Sequence, residues 1–157
     1  MLINSFVDYI EKKNTKNKTI LEFGAGKSTE LFSNNFKKVI SYDNNKEYQD
    51  ELPRYKNVNY KLLTLEAKHY KKTMSEVDYI FVDNDPSFIL RSSLVRIAYL
   101  YSNEHCKVIL DNGLWNIEAQ RFLQNKYFCK DFYGLRDDNL YTNTLVGEMK
   151  IPCYYYK

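Results

Sequence analysis

Three cysteines, no long hydrophobic run and no block of like charge are the first limits set by this 157-residue sequence. No stretch of about 18 apolar residues occurs, which excludes a membrane-spanning helix. The opening segment MLINSFVDYIEKKN carries Asp8 and Glu11 and lacks a basic start followed by an apolar block, so a secretory signal is not expected. Cys106, Cys129 and Cys153 are odd in number and widely separated, and no pair has metal-ligand spacing. Free thiols in a reducing, cytoplasmic compartment are the expectation. Lys and Arg number 23 against 20 Asp and Glu, a net charge of +3 with the lysines scattered. That balance tolerates an anionic partner but does not argue for nucleic acid.

What remains is ordinary for a globular chain: 44% hydrophobic and 27% charged residues. The length fits a single domain over residues 1–157, with no internal repeat, linker or low-complexity segment. Leu2, Ile3, Phe6, Val7 and Ile10 have helical spacing, so the chain is read as opening on an amphipathic helix. Strands are predicted at Thr19–Phe23, Lys38–Tyr42, Asn57–Leu63, Val77–Val82 and Lys107–Leu110, from short apolar or alternating runs. Helices are predicted between them at Ser28–Phe36, Lys46–Leu52, Leu65–Met74 and Ser87–Tyr101, and then at Asn116–Lys126. Asp85 and Pro86 are expected to cap the Ser87–Tyr101 helix and open its first turn. Phe128–Gly134 and Tyr141–Met149, joined by the polar turn Arg136–Asn139, read as a hairpin. The alternation implies an α/β fold: a Rossmann-like open, mostly parallel sheet flanked by helices, with a C-terminal antiparallel hairpin.

In such a sheet, ligands bind outside the carboxyl ends of the strands, near the point where strand order reverses. Those ends are distinctive here. The first strand runs into Glu22-Phe23-Gly24-Ala25-Gly26-Lys27-Ser28, the second into Asp43-Asn44-Asn45, the fourth into Asp83-Asn84-Asp85, and the fifth into Asp111-Asn112. GAGKST ends like a phosphate-binding loop, but the first glycine of G-x-x-x-x-G-K-S/T would fall on Leu21. The dinucleotide pattern G-x-G-x-x-G breaks at Thr29. What is left is acidic-x-Gly-x-Gly, in which Glu22 would repel a pyrophosphate but attract an ammonium or sulfonium group. A plain tight turn is the bland alternative. Asp43, 19 residues beyond Gly24, stands where an acid can accept from both ribose hydroxyls of an adenosine.

LEFGAGKST followed by VISYDNN resembles the first motif and following acidic residue of class I S-adenosylmethionine-dependent methyltransferases. VDYIFVDNDPSF, a helix, and then VILDNGLWN are similar to the cation-dependent O-methyltransferases of the catechol and caffeoyl-CoA type. The resemblance runs over residues 18–118 and implies S-adenosylmethionine bound by Glu22, Gly24, Ala25, Gly26, Ser28, Asp43, Asn44 and Asp83. It further implies a divalent metal such as Mg²⁺ on Asp83, Asp111 and Asn112, with Asp83 and Asp111 catalytic and a hydroxyl-bearing small molecule or glycan as acceptor. Oxygen donors of this kind suit Mg²⁺, which would acidify and orient the hydroxyl.

The pattern departs from that family at one position: its lysine, three residues after the strand-four Asp, is Pro86 here. Lys27 and His69 are the other basic candidates, and Trp115 is read either as an acceptor-pocket wall or as a buried wedge. The short amino-terminal region implies an open site, suited to a bulky acceptor or completed by a second copy of the chain. Two other readings stand beside this one. Asp85-Pro86-Ser87-Phe88 partly resembles the loop of amino-methyltransferases, and a methyltransferase-like domain can act as a binding module without catalysis.

Overall fold

Strands Thr19–Phe23 and Tyr79–Val82 are almost wholly buried, because helices cover both faces of the sheet that contains them. The computed structural model describes residues 2–66, 68–136 and 138–150. In chain order the elements are α1 Asn4–Glu11, β1 Thr19–Phe23, α2 Lys27–Asn35, β2 Lys38–Asp43, α3 Lys46–Glu51, β3 Val58–Leu62 and α4 Lys68–Glu76. They continue with β4 Tyr79–Val82, α5 Arg91–Tyr101, β5 Lys107–Leu110, a 3-10 turn Gly113–Trp115, α6 Ile117–Lys126, β6 Tyr127–Leu135 and β7 Tyr141–Met149.

The sheet has seven strands in the order β3-β2-β1-β4-β5-β7-β6. β1 to β5 are parallel; β7 pairs antiparallel with β5 and with β6. The predicted Rossmann-like sheet with its C-terminal hairpin is therefore present. The period-2 alternation of side chains divides the core in two. Leu21, Phe23, Ile80, Val82, Val108 and Leu110 form one cluster with Tyr70 and Met74 of α4, Leu94 and Val95 of α5 and Leu123 of α6. Ile20, Val39, Phe81 and Ile109 form the other with Ile3 just before α1, Phe6 and Ile10 of α1 and Phe32 of α2. Each fully buried Phe or Leu stabilises by roughly 2 kcal/mol relative to exposure, so the two clusters fix the strand register.

Three expectations are corrected. The fifth helix begins at Arg91, four residues after the predicted Ser87. Asp85 does not cap it: its Oδ1 accepts from Ser87 N at 2.8 Å within a turn, and the residue preceding the helix is Leu90. Asn84 holds that turn closed by donating from Nδ2 to the carbonyls of Asp85 and Ile89. The fourth helix is also displaced, starting at Lys68. Cys153 lies outside the described residues, and Cys106 and Cys129 are free.

Candidate functional site

Strand order reverses between β1 and β4, and the loops that leave them touch at Gly24. Gly24 has φ +97°, and a Cβ there would stand 2.5 Å from the Asp83 carbonyl oxygen. Only glycine lets the two strand ends close to this distance in this backbone conformation. Past Gly24 the chain turns into α2, and a cavity of about 260 Å³ opens over Gly24–Ser28, bounded also by Tyr48 and Asp83. Sites for small molecules commonly measure about 300–1,000 Å³, so this volume suits part of a cofactor-sized ligand. Asn45 caps α3 through Oδ1, accepting from Tyr48 N at 2.9 Å, and so sets Tyr48 at the cavity edge.

Glu22 lies beneath the loop rather than in the cavity. It is 0% exposed and accepts from Ser28 Oγ, from Thr29 Oγ1 at 2.7 Å and from Ser41 Oγ at 2.7 Å. The Thr29 hydroxyl in turn accepts from Gly26 N at 2.9 Å. Burial pushes the Glu22 carboxyl up to about 7, against the three hydroxyl donors, with Asp83 adding to the rise. Enclosed in this way, the carboxylate shapes the loop and is not among the residues that line the cavity.

Asp43 is nearly buried, and it also grips the loop: Oδ2 accepts from Ala25 N at 3.0 Å and Oδ1 from Asn45 N at 2.8 Å. Each oxygen retains a second lone pair. Asn44, half-buried, follows at the same strand end. Lys27 lines the cavity, whereas His69 meets Thr64 and Glu66 at the start of α4.

Asp83, Asp111 and Asn112 come together at the ends of β4 and β5, as the sequence implied, but a cation of the chain itself already stands among them. Arg91, at the start of α5, places Nη2 2.8 Å from Asp83 Oδ1 and donates from Nε to Asn84 O at 3.0 Å and from Nη1 to Asp111 O at 2.8 Å. Asn112, in the left-handed region with φ 53°, gives its Nδ2 to Asp83 Oδ1 at 3.3 Å, while its Oδ1 accepts from Arg136 Nη1 at 3.3 Å. Asp111 is 0% exposed, and its Oδ1 accepts from Thr144 Oγ1 at 2.5 Å. Its Oδ2 has no hydrogen-bond partner among the described residues. Burial raises both carboxyls, and Asp83 raises Asp111 further, while Arg91 opposes the rise in each.

Mg²⁺ demands near-octahedral oxygen ligation and tolerates little distortion. Here Asp83 Oδ1 already takes a guanidinium and an amide, Asn112 turns its nitrogen inward, and the Asp111 oxygen without a hydrogen-bond partner among the described residues, Oδ2, is enclosed. No group of three or more His, Cys, Asp or Glu among the described residues is arranged to hold a metal. The trio does not fit a divalent ion, and Asp111 stands behind the cleft rather than in it.

The sequence reading missed Arg91, Arg136, Thr144 and Tyr48. Arg91 gave no signal, because the predicted Ser87–Tyr101 helix places it beyond the first turn; only the observed start of α5 sets it at a helix N-terminus, where the dipole disfavours a cation. Trp115 is 48% exposed beneath the Arg136 guanidinium, 4.9 Å from its ring centroid, so it is not a buried wedge. Asp85-Pro86-Ser87-Phe88 forms a turn whose acid is spent on its own backbone.

No family profile matches the chain, and no curated protein sequence does. Solved structures do. An O-methyltransferase from Bacillus cereus in complex with S-adenosylhomocysteine superposes with a TM-score of 0.71 at 12% identity, over 96% of this chain and 83% of that one. An O-methyltransferase of tomaymycin synthesis from Streptomyces achromogenes, in complex with S-adenosylmethionine, gives 0.65 at 13% identity, over 85% and 74%. A precorrin-6y C5,15-methyltransferase from Geobacter metallireducens gives 0.61 at 12% identity, over 93% and 86%. At these identities the likeness is one of architecture: the chain has the Rossmann-like fold of S-adenosylmethionine-dependent methyltransferases.

Proposed function

We propose that this chain transfers a methyl group from S-adenosylmethionine to a hydroxyl oxygen of a small-molecule or glycan acceptor. The observation that carries the reading is the cavity over Gly24–Ser28, set at the strand-order reversal and bordered by Asp83. Bound there, S-adenosylmethionine supplies an electrophilic methyl carbon, so that transfer breaks a carbon–sulfur bond, forms a carbon–oxygen bond and releases one proton.

The chain's own residues bind and position. Gly24, Ala25, Gly26 and Ser28 bring backbone close to the ligand at the amino-terminal end of α2, where the helix dipole presents partial positive charge. Glu22 acts through the loop, holding Ser28 and Thr29 in place. Asp43 and Asn44 take the ribose hydroxyls, using the lone pairs that Ala25 N and Asn45 N leave open on Asp43. Asp83 is the carboxylate that a cationic ligand meets, since it borders the cavity with its side chain 20% exposed. The same carboxylate lines the cavity and takes up the departing proton. Asp111 is a positioning residue, its carbonyl holding Arg91 from behind. Holding an acceptor oxygen in line with the carbon–sulfur bond is the main catalytic demand.

Calorimetry with S-adenosylmethionine tests the reading. The native chain is expected to bind it, and Asp43→Ala to weaken binding by roughly tenfold or more through loss of a charge-assisted contact and a loosened loop. A folded native chain that takes up no S-adenosylmethionine at millimolar concentration sinks the proposal. If binding is found, radiolabelled methyl transfer to phenolic and sugar hydroxyls separates the oxygen acceptor from an amine.

A further inference from the structure

The strand-end acid cluster invites a cation, and the sequence contains one that ordinary helix chemistry does not explain. Arg91 is the first residue of α5, and no acidic residue occupies that first turn. A positive charge there opposes the helix dipole. It has nonetheless been drawn in until only 8% exposed, with three donors committed to the ends of β4 and β5. A locally unfavourable residue kept at a rim of convergent acids points to a role at that rim.

We propose that Arg91 is the resident cation of the Asp83–Asp111–Asn112 cluster, so that the site works without a divalent ion and does not take one up. The turn Asp85–Phe88 delivers it: by delaying the helix to residue 91, the turn sets the guanidinium rather than a backbone cap between the two strand ends. The planar fork matches this geometry, with Nη2 on the Asp83 carboxylate, Nη1 on the Asp111 carbonyl and Nε on the Asn84 carbonyl. Arg136 completes the arrangement by holding Asn112 Oδ1 and pairing with Asp138 at 3.0 Å. A divalent ion on Asp83 would have to lie beside the Arg91 guanidinium held on Oδ1, turn the Asn112 amide and face the Arg136 guanidinium as well. An acceptor oxygen bordering Asp83 would meet a fixed hydrogen-bonding cation instead of a Lewis acid. This goes beyond the methyl-transfer reading, because it concerns which ions the cluster admits whether or not a methyl group is moved.

The experiment is a titration of metal-stripped full-length chain with Mn²⁺, free ion being followed by electron paramagnetic resonance. The native chain is expected to show no stoichiometric uptake, with its unfolding midpoint unchanged by Mg²⁺. Arg91→Met vacates the position while keeping an apolar stem, and it is expected to bind one Mn²⁺ per chain at least about tenfold more tightly than the native protein. Tight one-to-one uptake by the native chain, abolished by Asp83→Asn, overturns the proposal. So does a folded Arg91→Met that gains no affinity. Should Arg91→Met fail to fold, the native titration decides by itself. A native chain that binds neither Mn²⁺ nor S-adenosylmethionine removes the methyl-transfer reading and leaves this one standing.

Discussion

Gly24 carries two constraints at once, a left-handed backbone and a contact with the Asp83 carbonyl that leaves no room for a side chain. Gly26, two residues on, has neither a left-handed φ nor a backbone neighbour that close; the nearest atom to its Cβ position is Tyr48 Oη at 3.3 Å. The two glycines of the motif therefore do different work. Gly24 permits the β1 and β4 ends to meet, and Gly26 leaves space over the cavity. Gly24→Ala is expected to destabilise by about 3 kcal/mol, combining left-handed strain with a displaced β4 end. Gly26→Ala should leave stability within about 1 kcal/mol and act on ligand binding instead. Urea unfolding of the two variants checks this, and equal losses would show that the asymmetry is misread.

At the scale of elements, the turn between β4 and α5 separates what the sequence made legible from what it did not. Asp85→Ala is expected to change stability by less than about 0.5 kcal/mol, because an exposed Asx-type turn is lost and no helix cap. A true N-cap would cost about 1 kcal/mol, so the unfolding midpoint distinguishes the two. Pro86 and Asp85 are strong start signals, and they misplace the helix because Asn84 locks the turn into a separate structure through two carbonyls. That competition is tertiary and leaves no local pattern. β1 and β5, by contrast, begin and end where their apolar runs predict, since continuous burial between layers of helices leaves little freedom. The strand-end acids were equally legible as a group. Their partners were not: Thr144 lies 33 residues from Asp111 and Ser41 lies 19 residues from Glu22, and only the sheet order brings them together. A cation was expected among the acids and sought as a metal; Arg91 is hidden in the sequence by the polar and apolar residues of its helix.

For the molecule as a whole, the cost of this site is a carboxyl buried without a formal counter-charge. Glu22 is held by hydroxyls alone, and its folded value near 7 stands above an ordinary 4.5. Below about pH 4.5 it is protonated in both folded and unfolded chains, and its contribution to stability is fully present. Between about 4.5 and 7 the unfolded chain releases the proton while the folded one keeps it, so stability falls as pH rises. Above 7 the folded carboxyl ionises as well and the decline ends. The span corresponds to roughly 3 kcal/mol. Glu22→Gln removes the titration while keeping the shape and an acceptor for Ser28. The stability of the native chain relative to this variant is therefore expected to drop by up to about 3 kcal/mol between pH 4.5 and 7.5, measured by urea unfolding at fixed ionic strength. A difference that stays flat or grows with pH would mean that Glu22 is already ionised in the folded protein. The three hydroxyls would then suffice to hold a charge beneath the glycine turn, and the loop would present a standing negative field to any cationic ligand above it.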